Sequence, residues 1–126
     1  RRLEGWNERR RAVAKLYHSI LSDLDEVVLP ANGGSVVKPV HHLYVIRTRF
    51  RDELKAWLEQ NGVQCGVHYP LPIHLQPVYR ELFGYEEGDF PESELLCKTA
   101  LSLPMFPGLE KQEVEYVCGK IHEFFD

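Results

Sequence analysis

Three prolines within one short segment limit what the middle of this chain can fold into. Residues 66–79 read GVHYPLPIHLQPVY and include Pro70, Pro72 and Pro77. Each proline lacks a backbone N–H and favours an extended conformation at the residue before it, so the segment cannot be a regular helix or a central strand. Flexible linkers are rich in Gly and Ser instead. The segment is therefore predicted to be a stiff loop that presents its side chains as a binding surface.

The residues before this segment predict a long helix, a strand and a shorter helix. Apolar residues recur every three or four positions over residues 3–24, which is typical of one face of an amphipathic helix. Residues 42–48 are rich in β-branched and aromatic side chains and favour a strand. Residues 52–60 favour a short helix, because they are followed by an Asn-Gly pair, which commonly ends helices.

Two more strands and three more helices are predicted around and after the prolines. Residues 63–69 alternate as a strand does, and residues 100–103 predict another short strand. Helices are predicted over residues 75–83, 92–99 and 110–125, the last with an acidic first turn. Because short strands alternate irregularly with helices, the order predicts an α+β fold with helices covering one face of a small sheet.

Composition narrows the class of protein. The 126 residues, 44% hydrophobic and 27% charged, are typical of one soluble globular domain. No apolar run approaches the roughly 18 to 20 residues of a membrane span, so no membrane partner is expected. Cys65, Cys97 and Cys118 include no C-x-x-C pair, which favours reduced thiols and a cytoplasmic location. The chain begins at Arg1 without a Met, and we expect it to be a fragment.

Four side chains in the proline-rich segment are candidate ligand-binding residues: His68, Tyr69, His74 and Gln76. Imidazole and phenol groups donate, accept and transfer protons near neutral pH. In the alternative interpretation, each side chain satisfies a neighbouring backbone group of an ordered loop. The composition of the segment leaves both interpretations open.

Other chemistries find weaker support in the sequence. Cys65, His68 and His74 share one segment, but their spacing matches no standard zinc pattern, so no metal site is predicted. The other two cysteines lie on apolar helix faces, which favours packing over nucleophilic catalysis. The basic cluster at residues 9–11 is interleaved with acidic residues and lacks stacking aromatics, so we expect a solvated helix face and no nucleic-acid partner.

Several longer motifs, taken in order, resemble those of a known enzyme family. They are WNERRRAVAKLYHSIL, HHLYVIR, RDELKAWLEQNGV, GVHYPLPIHLQPVY, GDFPESE and LSLPMFPGL. Together they resemble the C-terminal part of the pyridoxal-phosphate sugar aminotransferases of the DegT/DnrJ/EryC1/StrS family. The resemblance implies the small domain of a fold-type-I aminotransferase. A long helix at residues 1–24 would link to an absent large domain, and residues 25–126 would form a small antiparallel sheet packed with helices.

The resemblance also implies a chemistry. In such enzymes pyridoxal 5'-phosphate is the electron sink, an enzyme lysine forms a Schiff base with it, and an amino group passes from a donor, commonly L-glutamate, to a nucleotide-linked keto sugar. None of the six lysines here lies in a context like that of the family's cofactor lysine. The cofactor is therefore expected to be bound mainly by the large domain, with no catalytic residue in this fragment and no activity of the fragment alone.

Within the resemblance, His68 and Tyr69 are the first expected substrate-binding residues, and His74 and Gln76 follow. The implied partners are a nucleotide-linked keto sugar, an amino donor and a second copy of the protein in a homodimer. Two alternatives remain open: a non-catalytic α+β binding or regulatory module, and a family member that carries out pyridoxal-phosphate-dependent dehydration.

Overall fold

Helices surround a narrow sheet in the computed structural model, which describes residues 2–31, 33–34 and 37–126. The elements are α1 (Leu3–Leu21), β1 (Tyr44–Arg47), α2 (Arg51–Gln60), α3 (Pro77–Phe83), α4 (Pro91–Thr99), β2 (Ala100–Leu103) and α5 (Lys111–Phe125). The predicted α+β fold is confirmed. The predicted helix over residues 1–24 is α1, although Arg1 lies outside the described residues and the domain boundary after residue 24 stays a prediction.

The sheet is one antiparallel pair of four-residue strands. Tyr44 lies opposite Leu103 and Arg47 lies opposite Ala100. Along β1 buried and half-buried residues alternate, whereas every residue of β2 is buried. At the outer edge of β1, the backbone of Val28 exchanges two hydrogen bonds with that of Arg47. The sheet is therefore extended at this edge by a single residue.

At the opposite edge of the sheet, the structure differs from one prediction. The strand predicted over residues 63–69 is wrong, because within it only Gly66 pairs with the sheet, through two backbone hydrogen bonds with Ser102. The chain leaves the sheet after this bridge, since the ring of His68 folds back beside Gly66 and forms a hydrogen bond with the Ser102 side chain.

The core lies between the sheet and α1, α2 and α5. Its fully buried side chains are Tyr17, Leu21, Tyr44, Ile46, Leu54, Leu58, Leu101, Val114, Cys118 and Ile121. The rings of Tyr17 and Tyr44 stack with their centroids 4.9 Å apart, and burial raises the pKa of both phenols. The Tyr17 hydroxyl donates a hydrogen bond to the carbonyl oxygen of Pro104 at 3.1 Å. The later part of the predicted helix face is thus buried in the core, whereas its first residues, Leu3 and Trp6, are exposed.

The proline-rich segment divides at Pro77. Gln76 is extended, with φ −65° and ψ 141°, because a proline follows it. Pro77 then suits the first position of α3, where its missing N–H costs no helical hydrogen bond. The helix predicted over residues 75–83 is confirmed except for its start: a 3₁₀ turn at Ile73–Leu75 ends first, and α3 begins at Pro77. We call residues 66–76 the proline-rich loop.

A buried arginine fixes the junction between α4 and β2. The Arg51 guanidinium, at the start of α2, donates hydrogen bonds to the carbonyl oxygens of Cys97 at 3.0 Å and Ala100 at 3.4 Å. These carbonyl groups lie where the last turn of α4 gives way to the strand. The contact joins the start of α2 to the element that follows the proline-rich loop and α3.

A buried carboxylate fixes the proline-rich loop to the first turn of α4. Glu94 Oε1 accepts hydrogen bonds from His74 Nε2 at 2.9 Å and from the backbone N–H groups of Gly88 at 2.8 Å and Phe90 at 3.4 Å. Both His74 and Glu94 are buried. These hydrogen bonds, that from Gly88 foremost, lower the pKa of the Glu94 carboxyl group. The loop is therefore held in place by a polar contact.

Substitutions of two helical leucines, one buried and one exposed, test the assigned core. We expect Leu58→Ala, at a fully buried position of α2, to lower the free energy of unfolding by about 2–5 kcal/mol because it removes apolar contacts and leaves a cavity. The matched control, Leu82→Ala, alters a side chain of α3 that is 67% exposed and should change it by about 0.5 kcal/mol or less. Urea unfolding followed by circular dichroism measures both; equal losses would contradict the assigned core.

The depressed pKa of Glu94 predicts a pH dependence of stability. The ionised carboxylate stabilises the fold above its ordinary pKa of 4.5, and this contribution is lost as the pH falls through the lower folded value. We therefore expect Glu94→Gln to reduce the loss of unfolding free energy between about pH 5 and pH 3. Glu92→Gln, at an exposed position of the same helix, should keep the wild-type slope. Parallel pH curves for wild type and Glu94→Gln would contradict the assignment.

Candidate functional site

An open cavity of about 560 Å³ lies between the proline-rich loop, α3 and α4. The aromatic residues in its wall are Tyr69, Tyr79, Phe83, Tyr85 and Phe90. Two histidines, His68 and His74, are among its few polar lining residues. Cavities for small organic ligands commonly combine an apolar wall with a few polar groups that orient the ligand. We call this space the aromatic cavity.

The wall is a continuous run of ring contacts. Tyr79, Phe83, Tyr85, Phe90 and His74 pack one on the next, with ring centroids between 4.8 and 6.3 Å apart. Offset and edge-to-face contacts at these distances stabilise aromatic pairs beyond the effect of burial. The wall is therefore held by its own side chains, and it presents ring faces and edges to the cavity.

His68 is fixed by the edge of the sheet. Its Nδ1 atom lies 2.9 Å from Ser102 Oγ, within hydrogen-bond distance. A Cβ atom on residue 66 would clash with the His68 ring, so the ring as placed occupies space that glycine leaves open. The hydrogen bond orients the ring through one nitrogen. The next residue, Tyr69, is 74% exposed, and the peptide bond between His68 and Tyr69 is cis.

The other two predicted site residues have different surroundings. His74 lines the aromatic cavity, but its side chain is only 6% exposed and donates a hydrogen bond to Glu94. Gln76 does not line the cavity, and its backbone carbonyl accepts hydrogen bonds from Tyr79 and Arg80 at the start of α3. The structure thus brings His68, Tyr69 and His74 together around one cavity, with Gln76 outside it. Roles in ligand binding stay predictions for all four.

Several residues that form the site were not predicted from the sequence. Tyr79 and Phe83 are four residues apart on α3, which indicates one helix face but not whether that face meets the core or a cavity. Ser102 sits in a strand whose apolar neighbours predict only core packing. The role of Glu94 was not predicted, because acidic residues in a first helical turn ordinarily face solvent and interact favourably with the helix dipole. Only the fold shows that this carboxylate is buried.

The described residues form no metal site, and two of the three cysteines are poorly suited to nucleophilic chemistry. Over residues 2–31, 33–34 and 37–126, no group of three or more His, Cys, Asp or Glu side chains lies close enough to hold a metal ion. Burial raises the pKa of the Cys65 thiol to about 11 and that of Cys118 to about 12. Both thiols are therefore protonated near neutral pH, where the thiolate would be the nucleophile. No helix described here is long and apolar enough to cross a membrane.

The aromatic cavity alone does not fit pyridoxal phosphate. That cofactor needs an amine for its Schiff base and donors for its phosphate group. No Lys or Arg is among the described residues that line the cavity. Lys55, Lys98, Lys111 and Lys120 each pair with a glutamate elsewhere. We therefore derive no chemical step through the cofactor from these residues.

Comparison with known proteins identifies the family. The sequence model of the DegT/DnrJ/EryC1/StrS aminotransferase family matches residues 1–122. A pleiotropic regulatory protein of Geobacillus stearothermophilus is 46% identical over 125 residues, which are 98% of this chain and 33% of that protein. The dTDP-3-amino-3,4,6-trideoxy-α-D-glucose transaminase of Streptomyces venezuelae is 38% identical over 122 residues, 97% of this chain and 32% of that enzyme.

Solved structures show the same relationship. The crystal structure of S. venezuelae DesV in complex with a ketimine intermediate matches 98% of this chain and 33% of its own, with a TM-score of 0.89 and 37% identity. An aminotransferase structure from Brucella abortus matches 98% of this chain and 32% of its own, with a TM-score of 0.86 and 33% identity. The chain spans about a third of the length of each of these relatives. The chain therefore belongs to the DegT/DnrJ/EryC1/StrS aminotransferase family and corresponds to the C-terminal third of its relatives.

Proposed function

We propose that the intact protein is a pyridoxal-phosphate-dependent aminotransferase that passes an amino group, from L-glutamate, to a keto sugar linked to a nucleotide. The observation that supports this most directly is the match of nearly the whole chain to a dTDP-amino-sugar transaminase and to the ketimine-bound DesV structure. Because the chain spans about a third of these proteins, the activity belongs to the longer protein. When bound, the cofactor supplies the electron sink for the transfer.

In this proposal the chain contributes one wall of the substrate site. His68 offers a ring nitrogen that can exchange a hydrogen bond with a sugar hydroxyl, and the contact with Ser102 holds the ring in one orientation. Tyr69 adds an exposed phenol beside it. Aromatic faces pack well against the apolar faces of sugar rings and against planar bases. His74 and Gln76 are proposed as weaker contributors to the same site.

We place the cofactor's lysine and phosphate ligands outside these 126 residues. The aromatic cavity has no Lys or Arg among its described lining residues, so its chemistry is that of a substrate wall. The chain alone is accordingly proposed to be inactive. The intact protein is proposed to be cytoplasmic, in keeping with its unpaired cysteines.

Exposed apolar residues at the N-terminal end of α1 support a proposal for how the rest of the protein attaches. Leu3 is 63% exposed and Trp6 is 45% exposed, whereas Tyr17 and Leu21 of the same helix are fully buried. Apolar side chains exposed on one end of a helix favour contact with another surface. We propose that residues 1–24 link residues 25–126 to the large domain, and that the protein is a homodimer.

The names of two relatives favour a second candidate, a regulatory protein built on the same scaffold. The Geobacillus relative is named a pleiotropic regulatory protein, and a 38% identical relative from Saccharopolyspora erythraea is named the erythromycin biosynthesis sensory transduction protein EryC1. A regulator of this kind would bind a sugar nucleotide in the aromatic cavity without turnover. The two candidates share one fold and differ in whether the bound sugar nucleotide reacts.

An absorbance experiment on the intact protein separates the two candidates. Purified with pyridoxal phosphate, an aminotransferase is expected to show a visible absorption band that disappears with L-glutamate and returns when a keto sugar nucleotide accepts the amino group. This chain alone is expected to show no such band. Absence of the band and of any response to L-glutamate would contradict the transaminase proposal. Binding of a sugar nucleotide without a spectral response would support the regulatory candidate.

Substitution of His68 tests the substrate wall in the intact protein. We expect His68→Ala to raise the KM for the sugar nucleotide by about two- to tenfold, the range of one lost net hydrogen bond, and to leave the reaction with L-glutamate unchanged. His42→Ala is the control, because His42 is exposed and lies outside the aromatic cavity. An unchanged KM for His68→Ala, or an equal loss in both half-reactions, would contradict a substrate-side role.

A further inference from the structure

Glu94 stands apart from the other acidic residues of the described chain because it is the buried one. Its side chain is 8% exposed, and one oxygen, Oε1, accepts all three of its hydrogen bonds. Burying a carboxylate is costly unless donors satisfy it, so such a residue requires a specific function in the fold. His74, one of the residues predicted from the sequence to bind substrate, is one of its three donors.

The three donors come from two segments that meet beside the aromatic cavity and that we call its two walls. His74 belongs to the 3₁₀ turn of the proline-rich loop, whereas Gly88 and Phe90 belong to the turn that precedes α4. The His74 ring also packs on the Phe90 ring at 4.8 Å and on Tyr85 at 6.3 Å between centroids. One oxygen atom therefore joins the two walls, in addition to the ring contacts between them.

The hydrophobic core does not hold these walls. No described residue between 68 and 99 belongs to the buried core cluster or to the partly buried hydrophobics that pack against it. Helix α3, between the two walls, has no buried residue. The position of the walls thus depends on their own ring contacts, on the Arg51 contact at the end of α4, and on Glu94.

We propose that Glu94 is a positioning residue for substrate binding: its Oε1 atom holds His74 against Phe90 and so fixes the shape of the aromatic cavity, without contact to the ligand. The identity of the ligand rests on the proposed function, whereas the positioning of the two walls does not. Because a single acceptor oxygen makes all three contacts, the amide oxygen of a glutamine can replace it, and alanine cannot.

Two measurements on the intact protein test this proposal. In the first, hydrogen exchange by mass spectrometry compares peptides that contain Gly88 and Phe90 with peptides from β2. We expect Glu94→Ala to speed exchange at the turn by about tenfold and several times more than in β2, because the opening is local. Glu94→Gln should stay close to wild type, and Glu92→Gln is the exposed control from the same helix.

The second measurement follows the two half-reactions. We expect Glu94→Ala to raise the KM for the sugar nucleotide by about tenfold, with the rate of the reaction with L-glutamate unchanged, and Glu94→Gln to restore the KM. A merely structural residue would impair both half-reactions together. If the wild-type protein shows no reaction with L-glutamate, the transaminase proposal fails, and the exchange measurement alone decides the positioning of the walls.

Three outcomes would overturn the proposal. Exchange at Gly88 and Phe90 that is unchanged in Glu94→Ala would show that the carboxylate does not hold the turn. An equal gain of exchange in β2 would show a role in global folding instead. A Glu94→Gln variant as impaired as Glu94→Ala would show that the charge, and not the acceptor oxygen, is required.

Discussion

The narrow sheet is the constraint on which the rest of this structure depends. Two strands of four residues are too few to be stable without other elements packed on them. Helices α1, α2 and α5 therefore enclose the pair, and every residue of β2 is buried. Because the sheet is so small, its edges are completed by single residues, Val28 on one side and Gly66 on the other. The second of these fixes the point where the proline-rich loop begins.

Two parts of the molecule are held together by different kinds of interaction. The core is apolar and is held by packed side chains such as Tyr17, Ile46 and Leu101. The lobe that surrounds the aromatic cavity lies beyond the core. Arg51 and His68 join it to α2 and to the sheet by hydrogen bonds, and Glu94 joins two segments within it. Hydrogen bonds depend strongly on distance and direction, so they fix orientation more sharply than apolar contacts do. The aromatic cavity is thus placed by polar geometry on a scaffold made by hydrophobic packing.

The sequence pattern predicted the elements better than their connections. Hydrophobic spacing located the apolar face of α1, the strand of residues 100–103 and the helix that begins after Glu110, because burial determines these patterns directly. It failed at residues 63–69, where alternation is genuine but Gly66 alone pairs with the sheet. It also missed the break before Pro77, although the proline itself predicts an extended residue before it.

The site was only partly predictable for a similar physical reason. Polar rings and prolines indicated the proline-rich loop as a binding surface, and three of its four predicted residues line one cavity. The partners that orient those residues, Ser102 and Glu94, are 34 and 20 residues away in sequence from the histidines they contact. Local patterns contain no information on which distant group completes a hydrogen bond. Family resemblance supplied the chemistry, but not this geometry.

The separation of cavity and core has a consequence for how such proteins diversify. Tyr79 and Phe83 line the aromatic cavity, yet neither belongs to the core, so changes in their size reshape the cavity at little cost in folding. Relatives of this chain are named for different dTDP-linked sugars. If the aromatic cavity binds the ligand as proposed, its lining on α3 can change while the sheet and its helices remain the same.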